Sequence, residues 1–355
     1  MKIAIIGCGK QAPKHIKGFR NLARIHAIAV ADPVHERARA FATQHGAAIY
    51  PDPGLPFDDE DVSAIVICTP TATHMPLIRR AIESGKHVLC EKPGGSGGAS
   101  EAIELEVEAR QAGSVVRIGY LYRFAAAIAA SRRMMLGAET DGISRILGTI
   151  RSARFRIGGQ GSLAHWKHLS AQGGGAINEM ISHMVDLALW MFGPARDCEV
   201  VVKNRVFDRR VIEGVEQAVD AEDYIVARLQ TRSGVQVTLE GDFLSTRFWQ
   251  QIEIRGDNGI LVASIEPSFD SFCRLERPNG AFPSGVQRLR SREHDLYAMQ
   301  AKDFLDAIAD GASPHVGCDL GEAAQGRAIL DALRDAPFSR KSEPPPESER
   351  PWRAP

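Results

Sequence analysis

The sequence lacks an excess of charge of either sign, and it lacks any long hydrophobic run. Its 43 lysines and arginines nearly balance 44 aspartates and glutamates, which leaves a formal net charge of −1. Because no basic block is present, neither a nucleic acid nor an anionic membrane is indicated as a partner. No segment approaches the roughly 18 apolar residues of a membrane span, and the first residues show no secretory signal pattern. We therefore expect a cytoplasmic protein.

Paired cysteines are missing as well. The six cysteines are scattered along the chain, and no two of them form a C-x-x-C motif. Cys68 and Cys90 fall in apolar, strand-like runs, where cysteine behaves as a small hydrophobic residue. We expect reduced, structural thiols, with Cys8, in a glycine loop, as a partly exposed exception.

The first third of the chain alternates short apolar runs with helical patterns. Strands are predicted over residues 2–6, 27–31, 64–68, 87–90 and 115–119, and helices near 11–22, 34–45, 74–84 and 99–112. Strands that are apolar throughout and alternate with helices indicate a parallel sheet covered on both faces.

The first predicted strand leads into Gly7-Cys8-Gly9-Lys10-Gln11-Ala12, which fits the pattern G-x-G-x-x-A. In that pattern Gly7 makes the tight turn and Gly9 lets a pyrophosphate approach the backbone, while Ala12 allows close packing of helix on strand. We predict that this loop, including Lys10 and Gln11, binds a dinucleotide.

Asp32 ends the second predicted strand, 23 residues after Gly9. This spacing is close to that of a carboxylate that binds the adenosine ribose. Because no arginine directly follows Asp32, we favour NAD over NADP as the cofactor. Capping of the following helix is a second role for Asp32, compatible with the first.

Polar residues follow two neighbouring predicted strands. Thr69-Pro70-Thr71-Ala72-Thr73-His74 come after one, and Glu91-Lys92-Pro93 come after the other. Ligands of open parallel sheets bind beyond these carboxyl ends. For Thr73 and His74 an ordinary loop with a helix cap is at least as good an interpretation. Lys92 is suited to polarising a reacting oxygen, since burial or a neighbouring charge readily shifts the pKa of a lysine.

The segment GGGAINEMISHMVD, residues 173–186, places three glycines before a predicted helix over 177–192. Glu179, His183 and Asp186 share one face of that helix. A zinc site would need a third ligand, which the nearby His165 or His168 could supply, but no known zinc signature is present, so we expect no metal. We expect Asp186 to orient a backbone group or a histidine. For Glu179 and His183 the glycine loop favours a proton-transfer site, with His183 as the base.

The rest of the chain predicts a second domain. Alternating half-exposed strands are predicted over 147–157, 198–206, 223–231, 235–244, 250–256 and 259–265, and helices over 295–311 and 320–334. The predicted fold class is α/β: a Rossmann, doubly wound parallel sheet, then an α+β domain with a large, mostly antiparallel open sheet. The predicted boundaries are 1–120, 121–338 and a proline- and charge-rich mobile tail over 339–355.

Three stretches in this order resemble the Gfo/Idh/MocA oxidoreductases, which include glucose–fructose oxidoreductase and inositol dehydrogenase: GCGKQAPKH, CTPTATHMPLIRRAIESGKHVLCEKP and GGGAINEMISHMVDLALWMFG. The resemblance extends from residue 1 to about residue 335. It implies a nucleotide-binding domain and a second domain whose open sheet supports a homodimer or homotetramer.

The resemblance also implies roles for individual residues. On the cofactor side it implies that Gly7, Gly9 and Ala12 contact the pyrophosphate and that Asp32 contacts the adenosine ribose. Thr69, Pro70 and His74 would line the cofactor groove. Glu91 would lie near the nicotinamide ribose, and Arg123 would lie near the nicotinamide. On the substrate side it implies Lys92, Trp166, Lys167, Glu179 and His183, with Lys92, His183 and Glu179 catalytic.

Two departures from the family pattern are visible. Glu179 stands where the family commonly has aspartate, which lengthens the reach of the acid by one methylene. The segment GGSGGAS, residues 94–100, lacks the usual apolar residue, from which we expect a more mobile loop beside Lys92.

We expect an NAD-dependent dehydrogenase or reductase that acts on a CH–OH group of a sugar, sugar derivative or cyclic polyol. One alternative is an NAD-dependent glycoside hydrolase that works by transient oxidation. The other is a nucleotide-binding regulator with impaired catalysis.

Overall fold

A computed structural model of the chain describes residues 1–95, 98–136, 146–160, 164–266, 268–289, 295–310 and 316–339. Its first body is a six-stranded parallel sheet with strand order β3-β2-β1-β4-β5-β6. The strands are β1 (Lys2–Ile6), β2 (Ala27–Ala31), β3 (Ala48–Ile49), β4 (Val62–Ile67), β5 (His87–Cys90) and β6 (Val116–Ile118). This order reverses beside β1, as in the Rossmann fold, and it confirms the predicted fold class.

Helices cover both faces of this sheet. They are α1 (Ala12–Arg20), α2 (His35–His45), α3 (Leu55–Asp58), α4 (His74–Glu83) and α5 (Ala99–Ala112). Side chains along β1 alternate between the two cores, with Ile3 and Ile5 in one and Ala4 and Ile6 in the other. Burial on both faces explains why the strands are apolar throughout.

The second body contains an eight-stranded sheet with strand order β16-β15-β14-β13-β7-β12-β11-β8. Its strands are β7 (Ile150–Gly158), β8 (Ala195–Asn204), β11 (Tyr224–Thr231), β12 (Gln236–Asp242), β13 (Trp249–Gly256), β14 (Gly259–Ala263), β15 (Phe272–Leu275) and β16 (Gly285–Arg288). Every neighbouring pair is antiparallel except β7 and β12. A separate hairpin joins β9 (Arg209–Ile212) to β10 (Val215–Ala218).

The described residues contain four further α-helices: α6 (Ala126–Leu136), α7 (Ser182–Phe192), α8 (Leu296–Asp310) and α9 (Leu320–Asp335). Helix α7 packs on the second sheet. Helix α8 instead packs on α1 of the first body, where Phe304 meets Phe19 edge to face at 6.4 Å. Helix α9 contacts both bodies, since Leu320 joins the first core and Leu330 joins the second. Helix α9 therefore connects the two sheets.

Two other observations complete the fold. None of the described helices is long and apolar enough to cross a membrane. The predicted mobile tail lies outside the described residues, apart from Ser339.

A buried lysine fastens the end of α9 to the second sheet. Lys203 on β8 is 3% exposed, and its ammonium donates to the backbone oxygens of Leu333, Arg334 and Ala336. These carbonyls end a helix and have few partners inside it.

We expect Lys203→Met to keep the packing but leave these carbonyls without a charged donor. The free energy of unfolding should fall by about 2–3 kcal/mol, as for the loss of a charge-assisted hydrogen bond. Urea unfolding measures this loss, with Lys302→Met on the exposed face of α8 as the matched control. Equal unfolding midpoints for the two variants would contradict the capping role.

Candidate active site

The predicted dinucleotide loop joins β1 to α1. A Cβ atom at Gly7 would come within 2.8 Å of the backbone oxygen of Cys68, so only glycine fits between these two strand ends. At Gly9 a Cβ atom would meet nothing within 4 Å, so no protein neighbour requires glycine there. Gly9 lines an open cleft, and this free space suits the approach of a pyrophosphate group to the backbone.

The thiol of Cys8, in this loop, is less exposed than predicted. Cys8 is only 7% exposed, so the prediction of a partly exposed cysteine is wrong. Burial raises the pKa of the Cys8 thiol to about 12, which leaves it unreactive. The thiol lies 3.9 Å from the backbone oxygen of Ala31, and the backbone N–H of Cys8 donates to the carboxylate of Asp32 at 2.9 Å.

Asp32 follows β2 directly and lines the same cleft. Besides Cys8, its carboxylate accepts from the backbone N–H of Val34 at 2.8 Å, one residue before helix α2 begins. Capping by Asp32 is therefore only partly confirmed: Val34 is the N-cap of α2, and Asp32 accepts from the backbone N–H of that residue. The guanidinium of Arg37 lies 3.6 Å from Asp32. The sequence reasoning considered only the residues directly after Asp32 and missed this arginine, which lies five residues later on α2.

The cleft has a volume of about 580 Å³, within the range of small-molecule sites. Predicted site residues that line it are Gly7, Gly9, Lys10, Gln11, Asp32, Thr69, Pro70, His74, Glu91, Lys92, Trp166, Lys167 and Glu179. Residues that line it without having been predicted include Lys14, Pro33, Arg37 and Ala164. The structure thus brings together residues from both bodies.

Three charged side chains meet at one end of the cleft. The ammonium of Lys92 donates to Glu179 Oε1 at 3.2 Å, and the ammonium of Lys167 donates to Glu179 Oε2. Burial lowers the pKa of Lys92 below its ordinary value, and the charge of Glu179 opposes this shift. Burial alone would raise the pKa of Glu179, but the two lysines bring it down to about 2. The carboxylate is therefore ionised and shared between two cations.

The helix that carries Glu179 begins irregularly. Residues Ile177–Ile181 form a π-helix that continues into α7, where the sequence predicted a regular helix from 177 onward. Within this wider turn the backbone oxygen of Asn178 accepts from Lys92 Nζ at 3.0 Å and from Ser182 Oγ at 2.7 Å. Such π-turns recur at functional sites. This one gives Lys92 a second acceptor beside Glu179.

The glycines before this helix allow two chain segments to approach closely. A Cβ atom at Gly174 would lie 2.4 Å from the backbone oxygen of Lys167. Gly175 has φ +104°, and its Cβ atom would lie 2.2 Å from Glu222 Oε1. Glu222 also accepts from the backbone N–H of Ile177 at 2.9 Å. The loop thereby places Lys167 beside the start of the helix.

His183 lies one turn after Glu179 and is 7% exposed. Its ring stacks on Tyr122 with centroids 4.2 Å apart, and Tyr120 packs edge-on at 6.1 Å. Burial, and then the positive charge of Lys92, lower its pKa to about 3. The imidazole is therefore neutral at physiological pH, and its Nδ1 has no hydrogen-bond partner within the described part of the chain.

Arg123 and Asp186 do not take the positions expected of them. Arg123 is buried away from the cleft lining, and its guanidinium binds Asp186 at 2.6 Å and Glu322 at 2.8 Å. Asp186 was expected to orient a backbone group or a histidine, but its partner is this arginine. The residues predicted to share one helix face therefore have different surroundings. Glu179 lines the cleft, whereas Asp186 binds Arg123 between α7 and α9.

His74 lies between the cleft and the turn after β4. It lines the cleft, and it begins α4 with its Nε2 at 2.8 Å from the backbone oxygen of Thr69. Burial lowers the pKa of His74, so the ring is neutral. Its contact with Thr69 shapes the turn after β4.

No group of three or more His, Cys, Asp or Glu side chains in the described residues could hold a metal ion. Two other residues were not predicted from the sequence. His15 on α1 forms a hydrogen bond with Glu91, and Tyr122 stacks on His183. His15 follows Ala12 by three residues on the same helix face, which was the available signal.

Comparison with known families gives two matches along the chain. Residues 1–120 match the model of an oxidoreductase family with an NAD-binding Rossmann fold. Residues 144–262 match the model of the Gfo/Idh/MocA C-terminal domain. Together the two models cover more than half of the sequence.

Individual relatives match over nearly their whole length. The chain is 26% identical over 352 residues to inositol 2-dehydrogenase 4 of Saccharopolyspora erythraea, covering 92% of this chain and 93% of the relative. It is 27% identical over 344 residues to dTDP-3,4-didehydro-2,6-dideoxy-alpha-D-glucose 3-reductase of Streptomyces violaceoruber, covering 95% of each. Among solved structures, levoglucosan dehydrogenase in complex with NADH and levoglucosan has the same fold, with a TM-score of 0.80 at 20% identity over 94% of this chain and 96% of that one.

The glycine loop supplies a direct test of the site geometry. We expect Gly175→Ala to destabilise the protein by about 2–4 kcal/mol, because a Cβ atom there meets the Glu222 carboxylate and strains the backbone. Gly173→Ala is the matched control, since Gly173 also has a positive φ of 74° but meets only Asn178 Nδ2 at 3.9 Å. Thermal unfolding of both variants measures the difference. Equal losses would show that Glu222 does not constrain the loop.

Proposed function

The chain belongs to the Gfo/Idh/MocA oxidoreductase family, and on that premise we propose that it is an NAD(H)-dependent dehydrogenase or reductase of carbohydrates. It would transfer a hydride between the nicotinamide and a secondary alcohol or ketone of a sugar, sugar derivative or cyclic polyol. The names of the relatives support this substrate class, since they act on an inositol and on a deoxysugar nucleotide.

The cleft fits the cofactor. Gly9 leaves its backbone open to a pyrophosphate, and the buried carboxylate of Asp32 would accept from a ribose hydroxyl. Lys10 and Gln11 line the same side of the cleft. When bound, the nicotinamide supplies the hydride donor or acceptor for the reaction. Thr69 and Pro70, after β4, would line its groove.

The observation that carries the proposal is the ion pair of Lys92 with Glu179 in the cleft, together with the neutral imidazole of His183, whose pKa the charge of Lys92 lowers. His183 itself is not among the residues that line the cleft. The Lys92 ammonium would donate a hydrogen bond to the substrate oxygen and stabilise the negative charge that develops on it. The His183 imidazole would accept the hydroxyl proton during oxidation and return it during reduction. Glu179 would hold Lys92 in place through their contact at 3.2 Å.

Trp166 and Lys167 would complete the substrate end. Both line the cleft, and the Lys167 ammonium lies 5.2 Å from the centre of the Trp166 ring. An aromatic face beside hydrogen-bond donors suits a ring that carries several hydroxyl groups. Glu179 would accept from a neighbouring hydroxyl of the same ring.

We also propose a cytoplasmic homodimer or homotetramer assembled through the second sheet. All six cysteines are free, which fits a reducing compartment. One sheet face packs on α7, whereas the other carries exposed charges such as Arg154, paired with Glu240 on the neighbouring strand. This outward face is therefore the surface of the second sheet that is available to a second copy.

We expect Lys92→Ala and His183→Ala each to lower kcat by at least about 100-fold, because each removes a group from proton transfer. The Kd for NADH, measured by fluorescence titration, should change only a few-fold. The assay uses polyols, sugars and sugar acids with NAD and NADP in parallel, and Lys302→Ala on the surface of α8 is the control. Unchanged turnover in either site variant would remove that residue from the mechanism.

The same panel distinguishes the two alternatives. Net accumulation of NADH with a free sugar supports the dehydrogenase. Release of an aglycone from a glycoside without net NADH supports a hydrolase, and tight NADH binding without any turnover supports a regulator.

The pH dependence of oxidation follows from the site charges. Because the pKa of His183 is about 3 instead of its ordinary 6.5, we expect kcat/KM to vary by no more than about twofold between about pH 5.5 and 7.5. At alkaline pH the rate should fall as Lys92 loses its proton, starting below its ordinary pKa of 10.5 because burial lowers that pKa. A rate that drops with an apparent pKa near 6.5 on the acid side would contradict the lowered pKa of His183.

A further inference from the structure

A buried chain of contacts connects helix α8 to the cofactor side of the cleft. His15 on α1 is 1% exposed, and its Nε2 lies 2.7 Å from Glu91 Oε1. The ring of Tyr297 on α8 packs edge-on against His15 with centroids 5.1 Å apart. The hydroxyl of Tyr297 donates to Gln11 Oε1 at 2.9 Å. These contacts join three segments that are far apart in sequence.

Glu91 is the member of this chain that faces the cleft. It follows β5, lines the cleft beside Lys92, and is 8% exposed. A buried carboxylate requires a partner, and His15 supplies it. Burial alone would raise the pKa of Glu91, but the hydrogen bond and charge of His15 lower it overall. Glu91 is therefore an ionised acceptor with one oxygen fixed.

Tyr297 reaches this position because α8 lies close against α1. A Cβ atom at Gly18 would come within 2.8 Å of the backbone of Tyr297, so the contact depends on the missing side chain. Lys14, which lines the cleft, places its ammonium 5.6 Å from the centre of the Tyr297 ring. Tyr297 thus contacts His15 and two residues of the dinucleotide-binding segment.

We infer that His15 is a positioning residue, which fixes the Glu91 carboxylate for cofactor binding. We infer also that Tyr297 keeps the side chains of His15 and Gln11 in their positions through its contacts with both. This inference rests on the proposed function, because it assigns Glu91 and the loop residue Gln11 to cofactor contacts. His15 itself does not line the cleft. It acts through Glu91, so its loss should weaken cofactor binding beyond any loss of stability.

The first experiment compares two substitutions of His15. His15→Leu removes the hydrogen bond to Glu91, and we expect the Kd for NADH and the KM for NAD to rise about tenfold, the effect of one charge-assisted hydrogen bond. We expect kcat to change by less than about threefold, since Lys92 and His183 remain. His15→Gln retains a side-chain N–H donor and should restore the Kd to within about threefold of the wild type. A Kd for NADH that is unchanged in His15→Leu would overturn the inference.

The second experiment separates positioning from stability. Tyr297→Leu removes the contacts to His15 and Gln11, whereas Phe304→Leu disturbs the packing of the same two helices at Phe19 without touching the cleft. Both should lower the melting temperature, but only Tyr297→Leu should raise the Kd for NADH, by at least about threefold. If the two variants weaken NADH binding equally, Tyr297 has only a structural role.

Failure of the proposed function has a different signature. Wild-type protein that binds neither NADH nor NADPH in the titration would refute the proposed function itself. Wild-type protein that binds NADH, together with an unaffected His15→Leu, would refute the positioning role alone.

Discussion

The shared carboxylate of Glu179 is the interaction on which the candidate site depends. Its two oxygens bind Lys92, at the end of a strand in the first body, and Lys167, from the second body. All three side chains are largely buried, so each charge needs the others as partners. Without the carboxylate the two ammonium groups would repel each other across the cleft. The relative placement of the two bodies at this point is therefore held by charge as well as by apolar packing.

This cluster also determines which group carries a proton. Burial disfavours a positive charge on both Lys92 and His183, but only Lys92 has Glu179 as a direct partner. The positive charge accordingly resides on Lys92, and its field lowers the pKa of His183 further. Environments that separate two titratable groups in this way assign one as donor and the other as acceptor. This division supports the proposed roles of the two residues in proton transfer.

The parts of the fold that depend on local sequence patterns could be predicted from the sequence. The period of the apolar residues predicted five of the six strands of the first sheet to within about two residues, but not the two-residue strand β3 (Ala48–Ile49). The rule that ligands bind beyond the carboxyl ends of parallel strands predicted that Thr69, Glu91 and Lys92 line one cleft. Features that depend on contacts between distant segments were not accessible. The π-helix at Ile177–Ile181, the pairing of Arg123 with Asp186 and the docking of α8 on α1 all require a partner that the local pattern does not show.

The two departures from the family pattern have different consequences in the structure. The additional methylene of Glu179 does not remove its carboxylate from the site, since that carboxylate accepts from both Lys92 and Lys167. The glycine-rich segment was expected to loosen the loop beside Lys92, and its residues 96 and 97 lie outside the described residues. Gly94 and Gly95 before them are buried, and the backbone oxygen of Gly95 accepts from Arg327 on α9 at 3.2 Å. The described start of the loop is thus tied to the helix that connects the two bodies. Both departures are compatible with an intact site, which argues for an active enzyme over a regulator that has lost catalysis.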